Sequence, residues 1–338
     1  MIIQQNCSLK SFNTFGINVT ASFFCIVHTV EEIKSILTDE KWKQMPVLLL
    51  GGGSNVLLTK NFDGLVIKNE LKGISVVDDT DDYVLVKAAA GEVWHDLVMW
   101  CIERNYAGIE NLSLIPGSVG AGPMQNIGAY GVELKNTFYE LEALNRSTAE
   151  MQVFNAADCN FGYRQSIFKS TLKDKYIITS VTFKLNKKPQ YNTSYGAIEQ
   201  ELRKTGVAEL NIKNISSAVI AIRKSKLPDP AEIGNAGSFF KNPEVEASLF
   251  KAIKTNYPDC VGYPVNDGNV KLAAGWLIEQ CGWKGKIVGN TGAHKNQSLV
   301  LVNYGGATGN EVYLLAQAIQ QAVFEKFNVL LEMEVNII

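Results

Sequence analysis

The sequence predicts an α+β protein with several sheets and more than one domain. Three observations predict it. The chain starts strand–helix–strand, with Thr29-Val-Glu-Glu32 reading as a capping box and Val30, Ile33, Ile36 and Leu37 following at helical spacing. From Thr137 to Leu185 the pattern turns strand-like, with Phe138–Leu144, Met151–Phe154 and Tyr176–Leu185 alternating or running apolar. The last third then mixes amphipathic helices with a closing strand expected at Leu330–Ile338. A length of 338 residues is enough for two or three domains.

Within that frame each element has its own signal. Pro46–Leu50 is a short apolar strand, and Leu65–Ile67 is another, broken at Lys72-Gly73. Asp78-Asp-Thr-Asp-Asp82 lacks EF-hand spacing and reads as a solvated turn between strands Ile74–Val77 and Tyr83–Ala88. After Gly91 a helix is expected with Val93, Leu97 and Cys101 on its inner face and Trp94 and Val98 beside them. His95 on that helix reads as a packing or surface residue. Lys187-Lys-Pro189 looks like a boundary, followed by Tyr191-Asn-Thr-Ser-Tyr-Gly196 and a polar helix to about residue 203. Helices are then expected over 216–224, with Val219 and Ile222 inward, and over 272–281, stopped by Gly282. Thr308-Gly-Asn-Glu311 opens the last helix, whose stripe is Val312, Leu315, Ile319, Val323 and Phe327.

Composition excludes several classes. With 32 basic and 34 acidic residues the net charge is −2, so no global field draws nucleic acid. No apolar run approaches the roughly 18 residues that span a bilayer, and the N-terminus has no signal-peptide pattern. The six cysteines are scattered without a CxxC, and the three histidines are far apart. Reduced cytoplasmic thiols and no metal are the expectation.

Two glycine-rich stretches organise the chain. Residues 114–131, Leu-Ile-Pro-Gly-Ser-Val-Gly-Ala-Gly-Pro-Met-Gln-Asn-Ile-Gly-Ala-Tyr-Gly, hold five glycines and two prolines. Neither a packed helix nor a central strand tolerates that density. Interleaved Ile115, Val119, Met124, Ile127 and Tyr130 argue for burial, and buried irregular backbone must satisfy its polar groups. Glycine amides do so by wrapping a phosphate, although a tight interdomain turn fits glycine content alone equally well. The strand 46–50 runs into Gly51-Gly-Gly-Ser-Asn55, which is neither G-x-G-x-x-G nor a Walker A loop.

Together these stretches resemble the two pyrophosphate-holding loops of the vanillyl-alcohol-oxidase (PCMH) type of FAD domain. Further segments follow in order: Phe161-Gly-Tyr-Arg-Gln-Ser-Ile-Phe-Lys169, Arg223-Lys-Ser-Lys-Leu-Pro-Asp-Pro230, Asn235-Ala-Gly-Ser-Phe-Phe-Lys-Asn-Pro243 and Leu331-Glu-Met-Glu-Val335. With both loops, the set resembles the UDP-N-acetylenolpyruvoylglucosamine reductase family over nearly the whole chain. Tyr195-Gly196 matches the form of that family with a tyrosine-bearing loop. Ser118 stands where the family often has cysteine or serine, and Ala121-Gly122 replaces a small polar pair.

The resemblance implies an FAD domain in two α/β subdomains, 1–72 and 73–210, and a C-terminal α+β substrate domain, 211–338. The closing strand is a candidate to return to the first subdomain. It implies non-covalent FAD, NADPH as co-substrate, and reduction of the enolpyruvyl ether of UDP-N-acetylglucosamine-enolpyruvate to UDP-N-acetylmuramate for peptidoglycan. FAD would meet Gly51, Gly52, Gly53, Ser54, Asn55, Ile115, Gly117, Ser118, Gly122, Pro123, Gln125, Asn126, Gly128, Ala129 and Arg223. Tyr195 and Lys226 would hold the UDP phosphates, and Asn242, Tyr263, Lys284 and Gln297 would line the nucleotide-sugar site. Ser238 would donate a proton, with Phe239 and Phe240 excluding water. Arg164 and Glu334 would stabilise the enolic intermediate. Strand periodicity puts Glu332 and Glu334 on one side, so only the resemblance selects Glu334. A cytoplasmic monomer is expected, without membrane or nucleic-acid partners.

Other classes compete less well. Ser166-x-x-Lys169 and Lys204-Thr-Gly206 echo acyl-serine enzymes, yet no S-D-N lies between them and Ser170-x-x-Lys173 repeats the pattern by chance. A non-catalytic flavin or nucleotide-sugar module, or an FAD oxidase of the same superfamily, would share the loops. Such oxidases often link FAD to His or Cys, and residues 114–131 contain neither. Acid precipitation of the flavin-loaded protein should therefore leave all the flavin in the supernatant. Flavin remaining on the polypeptide would contradict this.

Overall fold

Apolar residues on strands Thr20–Val27 and Phe62–Asn69 need covering, and helix Val30–Thr38 supplies the cover with Ile33, Ile36 and Leu37. The computed structural model describes residues 1–206, 209–265 and 268–338. The chain forms two compact units. The first comprises 1–7, 20–52 and 62–224; the second comprises 8–19, 53–61 and 225–338.

The first unit holds two sheets. In one, the strand order is Ile3–Ser8, Thr20–Val27, Phe62–Asn69, Val47–Leu50, and the last three run parallel. The Thr29–Glu32 capping box forms as expected, with Glu32 N–H donating to Thr29 Oγ1 at 3.1 Å. The other sheet is antiparallel, in the order Met151–Asn155, Phe138–Asn145, Tyr176–Asn186, Tyr83–Ala89, Ile74–Asp79. Asp78 and Asp79 thus extend a strand, and the turn is confined to 80–82.

Helix Trp94–Glu103 packs on this second sheet through Trp94, Leu97, Val98, Cys101 and Ile102, with Trp94 edge-on to Phe183 at 5.7 Å. Val93 is not on that face. It caps the helix in extended geometry and is 44% exposed. The helix itself begins at Trp94, so Val93 stands just outside it. Helix Ile212–Lys226 begins four residues before the expected Ser216, because Asn211 Oδ1 accepts the Asn214 N–H at 2.8 Å and provides a cap. It lies wholly after the expected 210/211 boundary, and the chain leaves the first unit near its end, at Lys224.

The second unit has a four-stranded antiparallel sheet, Gly234–Ser238, Val300–Asn303, Thr291–Ala293, Ile287–Val288. A three-stranded sheet joins Glu244–Glu246, Asn269–Leu272 and Gly262–Pro264. Leu272 therefore ends a strand, and the expected helix is Ala274–Gln280, with Gly282 at φ +74° after it. Helix Gly309–Phe327 carries the Thr308–Glu311 capping box and buries Val312, Leu315, Ile319, Val323 and Phe327.

The segment around Ser238 is the irregular strand Gly234–Ser238, with a register break between Asn235 and Ser238. One expectation fails in this unit. Leu330–Ile338 is not one strand. Met333 bridges Phe240, and only Asn336–Ile337 pairs, parallel to Val56–Leu57. The segment changes partner along its length, so strict alternation of faces breaks down: Ile337 is exposed although Val335 is buried.

Candidate functional site

In the first unit, strand Val47–Leu50 ends where its sheet ends, at Gly51. Half-buried Lys68 reaches over from the neighbouring strand and donates to the Gly51 carbonyl at 2.8 Å. The second glycine stretch is anchored at 117–120. Trp94 N–H donates to Gly117 O at 3.0 Å, Val119 N–H to Glu92 O at 2.8 Å and Gly120 N–H to Ala90 O at 2.9 Å. These bonds bring the two loops together. A Cβ on Gly51 would collide with Ser118 Oγ, and one on Gly52 would lie 2.7 Å from Gly117 Cα. Within the described residues, the N–H groups of Gly52, Gly117 and Ser118 have no protein acceptor.

Further along, Gly122 and Pro123 are buried and Ile115 is half-buried. Gln125 Oε1 accepts from Lys169 Nζ at 3.4 Å. Asn126 is fully buried and its side chain is spent inside the protein. Its Nδ2 donates to Glu133 Oε2 at 3.1 Å and Gly162 O at 3.0 Å, and its Oδ1 accepts the Lys135 N–H at 3.0 Å. That amide is engaged in shaping the loop.

Gly128-Ala129 forms a small hairpin with Val132-Glu133, and Arg164 Nη2 donates to Gly128 O at 2.5 Å. Arg164 is half-buried, as expected, lies 5.3 Å from the Tyr163 ring centre and has φ +52°. Arg223 Nε donates to Leu114 O at 3.2 Å, and its guanidinium lies near the Tyr130 hydroxyl. Tyr195, 50% exposed, stands edge-on to Tyr130 at 5.3 Å.

Nothing in the sequence pattern singles out Asn111. Its Nδ2 donates to Tyr130 O at 3.0 Å and to Asn192 O at 2.9 Å, tying the end of the glycine stretch to the tyrosine loop. An isolated buried asparagine has no motif to betray it.

In the second unit, Gly53, Ser54 and Asn55 continue the first loop, and Asn55 O accepts the Asn336 N–H at 3.1 Å. Ser238 is exposed. Phe239 and Phe240 are buried, with Phe239 edge-on to Phe15 at 6.2 Å and to Phe240 at 5.3 Å. The rings belong to the core, so they do not screen Ser238 from water as expected.

Glu332 and Glu334 differ sharply. Glu332 is exposed and pairs with Lys241 at 2.5 Å, whereas Glu334 is half-buried and its N–H donates to Phe239 O at 2.8 Å. Asn242 Oδ1 accepts the Ala274 N–H at 3.0 Å and caps helix Ala274–Gln280. Lys284 pairs with Glu279 at 2.8 Å, Gln297 is half-buried, and Tyr263 is 60% exposed. Lys226 ends helix Ile212–Lys226.

Comparison with known proteins decides the family. The C-terminal domain of UDP-N-acetylenolpyruvoylglucosamine reductase matches residues 229–338, and an FAD binding domain matches residues 21–154. The UDP-N-acetylenolpyruvoylglucosamine reductase of Flavobacterium johnsoniae is 54% identical over 339 residues, covering 100% of both chains. The chain belongs to the UDP-N-acetylenolpyruvoylglucosamine reductase family. The Pseudomonas putida reductase is 50% identical over 334 residues, 99% of this chain and 98% of its own. The crystal structure of UDP-N-acetylenolpyruvylglucosamine reductase (MurB) from Thermus caldophilus shares the fold, with TM-score 0.67 at 23% identity over 99% of this chain and 98% of that one. Like its family, the chain is an FAD-dependent oxidoreductase of peptidoglycan precursor synthesis.

The first unit fits that cofactor. Pyrophosphate is held by backbone N–H groups presented on glycine-rich turns. Gly52, Gly117 and Ser118 offer such groups with no internal acceptor, on two loops in van der Waals contact. A methyl group on Gly52 pushes against backbone, which gives way less easily than a side chain. Gly52→Ala should therefore lower flavin content at least tenfold while leaving the far-ultraviolet circular dichroism unchanged. Full flavin retention by this variant would refute the steric argument.

Proposed function

We propose that Arg164, Ser238 and Glu334 carry the chemistry of the family on this chain. The reaction reduces the enolpyruvyl ether of UDP-N-acetylglucosamine-enolpyruvate with NADPH, giving UDP-N-acetylmuramate. FAD, when bound, passes the hydride of NADPH to the vinyl carbon of the ether. The adjacent carbon then carries negative charge shared with the carboxylate, and it must be held and protonated. Arg164 stabilises that charge. Its grip on Gly128 O and its left-handed backbone support a preset orientation. Ser238 gives its hydroxyl proton to the carbon and regains one from water, to which it is exposed. A serine hydroxyl is a weak acid, but the carbon is a far stronger base.

The assignment of Glu334 rests on its separation from Glu332. Glu332 is exposed and committed to Lys241, whereas Glu334 is half-buried and adjoins the Ser238 strand through its N–H bond to Phe239. The flavin is held by backbone of 51–55, 115–118, 122–123 and 128–129, with Gln125 and Arg223 beside it. Asn126 acts through loop shape. Tyr195 and Lys226 meet the UDP phosphates, and Tyr263, Gln297, Lys284 and Asn242 meet the nucleotide-sugar. The Lys284–Glu279 pair must open for that, and Asn242 has only its Nδ2 to offer. We further propose that sheet-by-sheet division at 72/73, and a substrate domain after about residue 210, describe the working parts. A cytoplasmic monomer without membrane or nucleic-acid partners completes the proposal. A net charge of −2 supports it, as does the finding that no helix among the described residues is long and apolar enough to cross a membrane.

Ser238→Ala should slow the substrate half-reaction by about 10²–10⁴ and leave the NADPH half-reaction alone. Anaerobic stopped-flow absorbance separates the two; a defect confined to the NADPH step would end the assignment. Tyr195→Phe loses one hydroxyl contact, so substrate affinity should fall by about 2- to 10-fold with the NADPH step unchanged. Titration of the UDP-sugar checks this, and unaltered affinity would remove the hydroxyl from the site.

A further inference from the structure

Leu114 immediately precedes the Ile115–Ser118 loop and has φ +58°. A leucine in the left-handed region is strained, so its surroundings must hold it there. Both of its backbone polar groups are gripped by side chains. Its N–H donates to His95 Nδ1 at 3.0 Å, from helix Trp94–Glu103. Its carbonyl accepts from Arg223 Nε at 3.2 Å, from helix Ile212–Lys226. Two helices thus fix the peptide units on either side of Leu114, just before the N–H groups of Gly117 and Ser118.

We propose that His95 and Arg223 clamp Leu114 in its left-handed conformation and thereby preset the 115–118 loop for the flavin dinucleotide. This rests on the reading that the loop holds FAD. His95 is a positioning residue: it touches the loop, not the cofactor.

An acceptor Nδ1 is unprotonated, so the clamp needs the neutral imidazole with its proton on Nε2. Burial lowers the His95 pKa, Arg223 and Lys224 push it the same way, and Asp96 opposes them. A depressed pKa means that the clamp is fully present above about pH 6.5 and is lost as pH falls further, through the folded-state value.

The test is the FAD dissociation constant of the holoenzyme, read from flavin fluorescence released on dilution. Removing one hydrogen bond should make His95→Ala bind FAD about 2- to 10-fold more weakly. His95→Asn places an amide oxygen near the Nδ1 position and should restore affinity. Adding Leu114→Gly to His95→Ala should also recover affinity, because glycine adopts φ +58° without strain. Wild-type affinity should decline below about pH 6.5, and His95→Asn should not share that decline. Gly52→Ala is the reference for the cradle. Wild-type affinity in His95→Ala beside weak binding in Gly52→Ala overturns the clamp alone. Wild-type affinity in both overturns the cradle and the clamp together. A His95→Asn variant as weak as His95→Ala, or with the wild-type pH decline, also overturns the clamp.

Discussion

The first unit depends on one constraint: two loops must touch backbone to backbone. Gly51 meets Ser118 and Gly52 meets Gly117 so closely that neither glycine can carry a methyl group without movement. Between the loops at this range the Ser118 side chain fills the space beside Gly51, and Gly52 faces Gly117 backbone. This packing leaves main-chain N–H groups as donors available there, which suits an anionic diphosphate that needs several donors and little bulk. The antiparallel sheet and helix Trp94–Glu103 serve this contact, since the bonds from Trp94, Val119 and Gly120 fix the height of the second loop.

Holding such a loop requires backbone conformations that side chains dislike. Leu114, Asn126, Tyr130 and Arg164 all have positive φ without being glycine. Each is tied down by hydrogen bonds: Leu114 by His95 and Arg223, Asn126 by three bonds of its side chain, the Tyr130 carbonyl by Asn111, and Arg164 through Gly128. Left-handed residues of this kind cluster where structure serves function. Their partners are drawn from helices and strands, which are the stiffer parts of the fold.

Hydrogen bonding also sorts the polar residues by role. Asn126 directs three side-chain hydrogen bonds into the protein and so shapes the cofactor stretch in which it stands. Glu332 is neutralised at the surface by Lys241, while Glu334, two residues on, is drawn partly inside. Ser238 and its aromatic neighbours part in the same way: the rings go to the core and the hydroxyl goes to the exposed face.

Much of this was legible beforehand. Capping boxes at Thr29 and Thr308, the stripe of helix Gly309–Phe327 and both glycine stretches are local signals, set by backbone propensity and short-range hydrogen bonds. They needed no knowledge of the rest of the chain, and the motif series identified the family on its own. Tertiary structure alone decided which atoms of those motifs remain available. No periodicity tells that Asn126 is consumed, that Glu332 and Glu334 part company, or that 330–338 changes partner midway. It does not tell that His95 grips Leu114 either. In each case the deciding partner lies far along the chain or off the local pattern: Gly162 for Asn126, Lys241 for Glu332, Val56–Leu57 for the last strand, Leu114 for His95. Local sequence fixes the conformation a segment prefers; which of its polar groups are spent depends on neighbours that only folding brings within hydrogen-bonding distance.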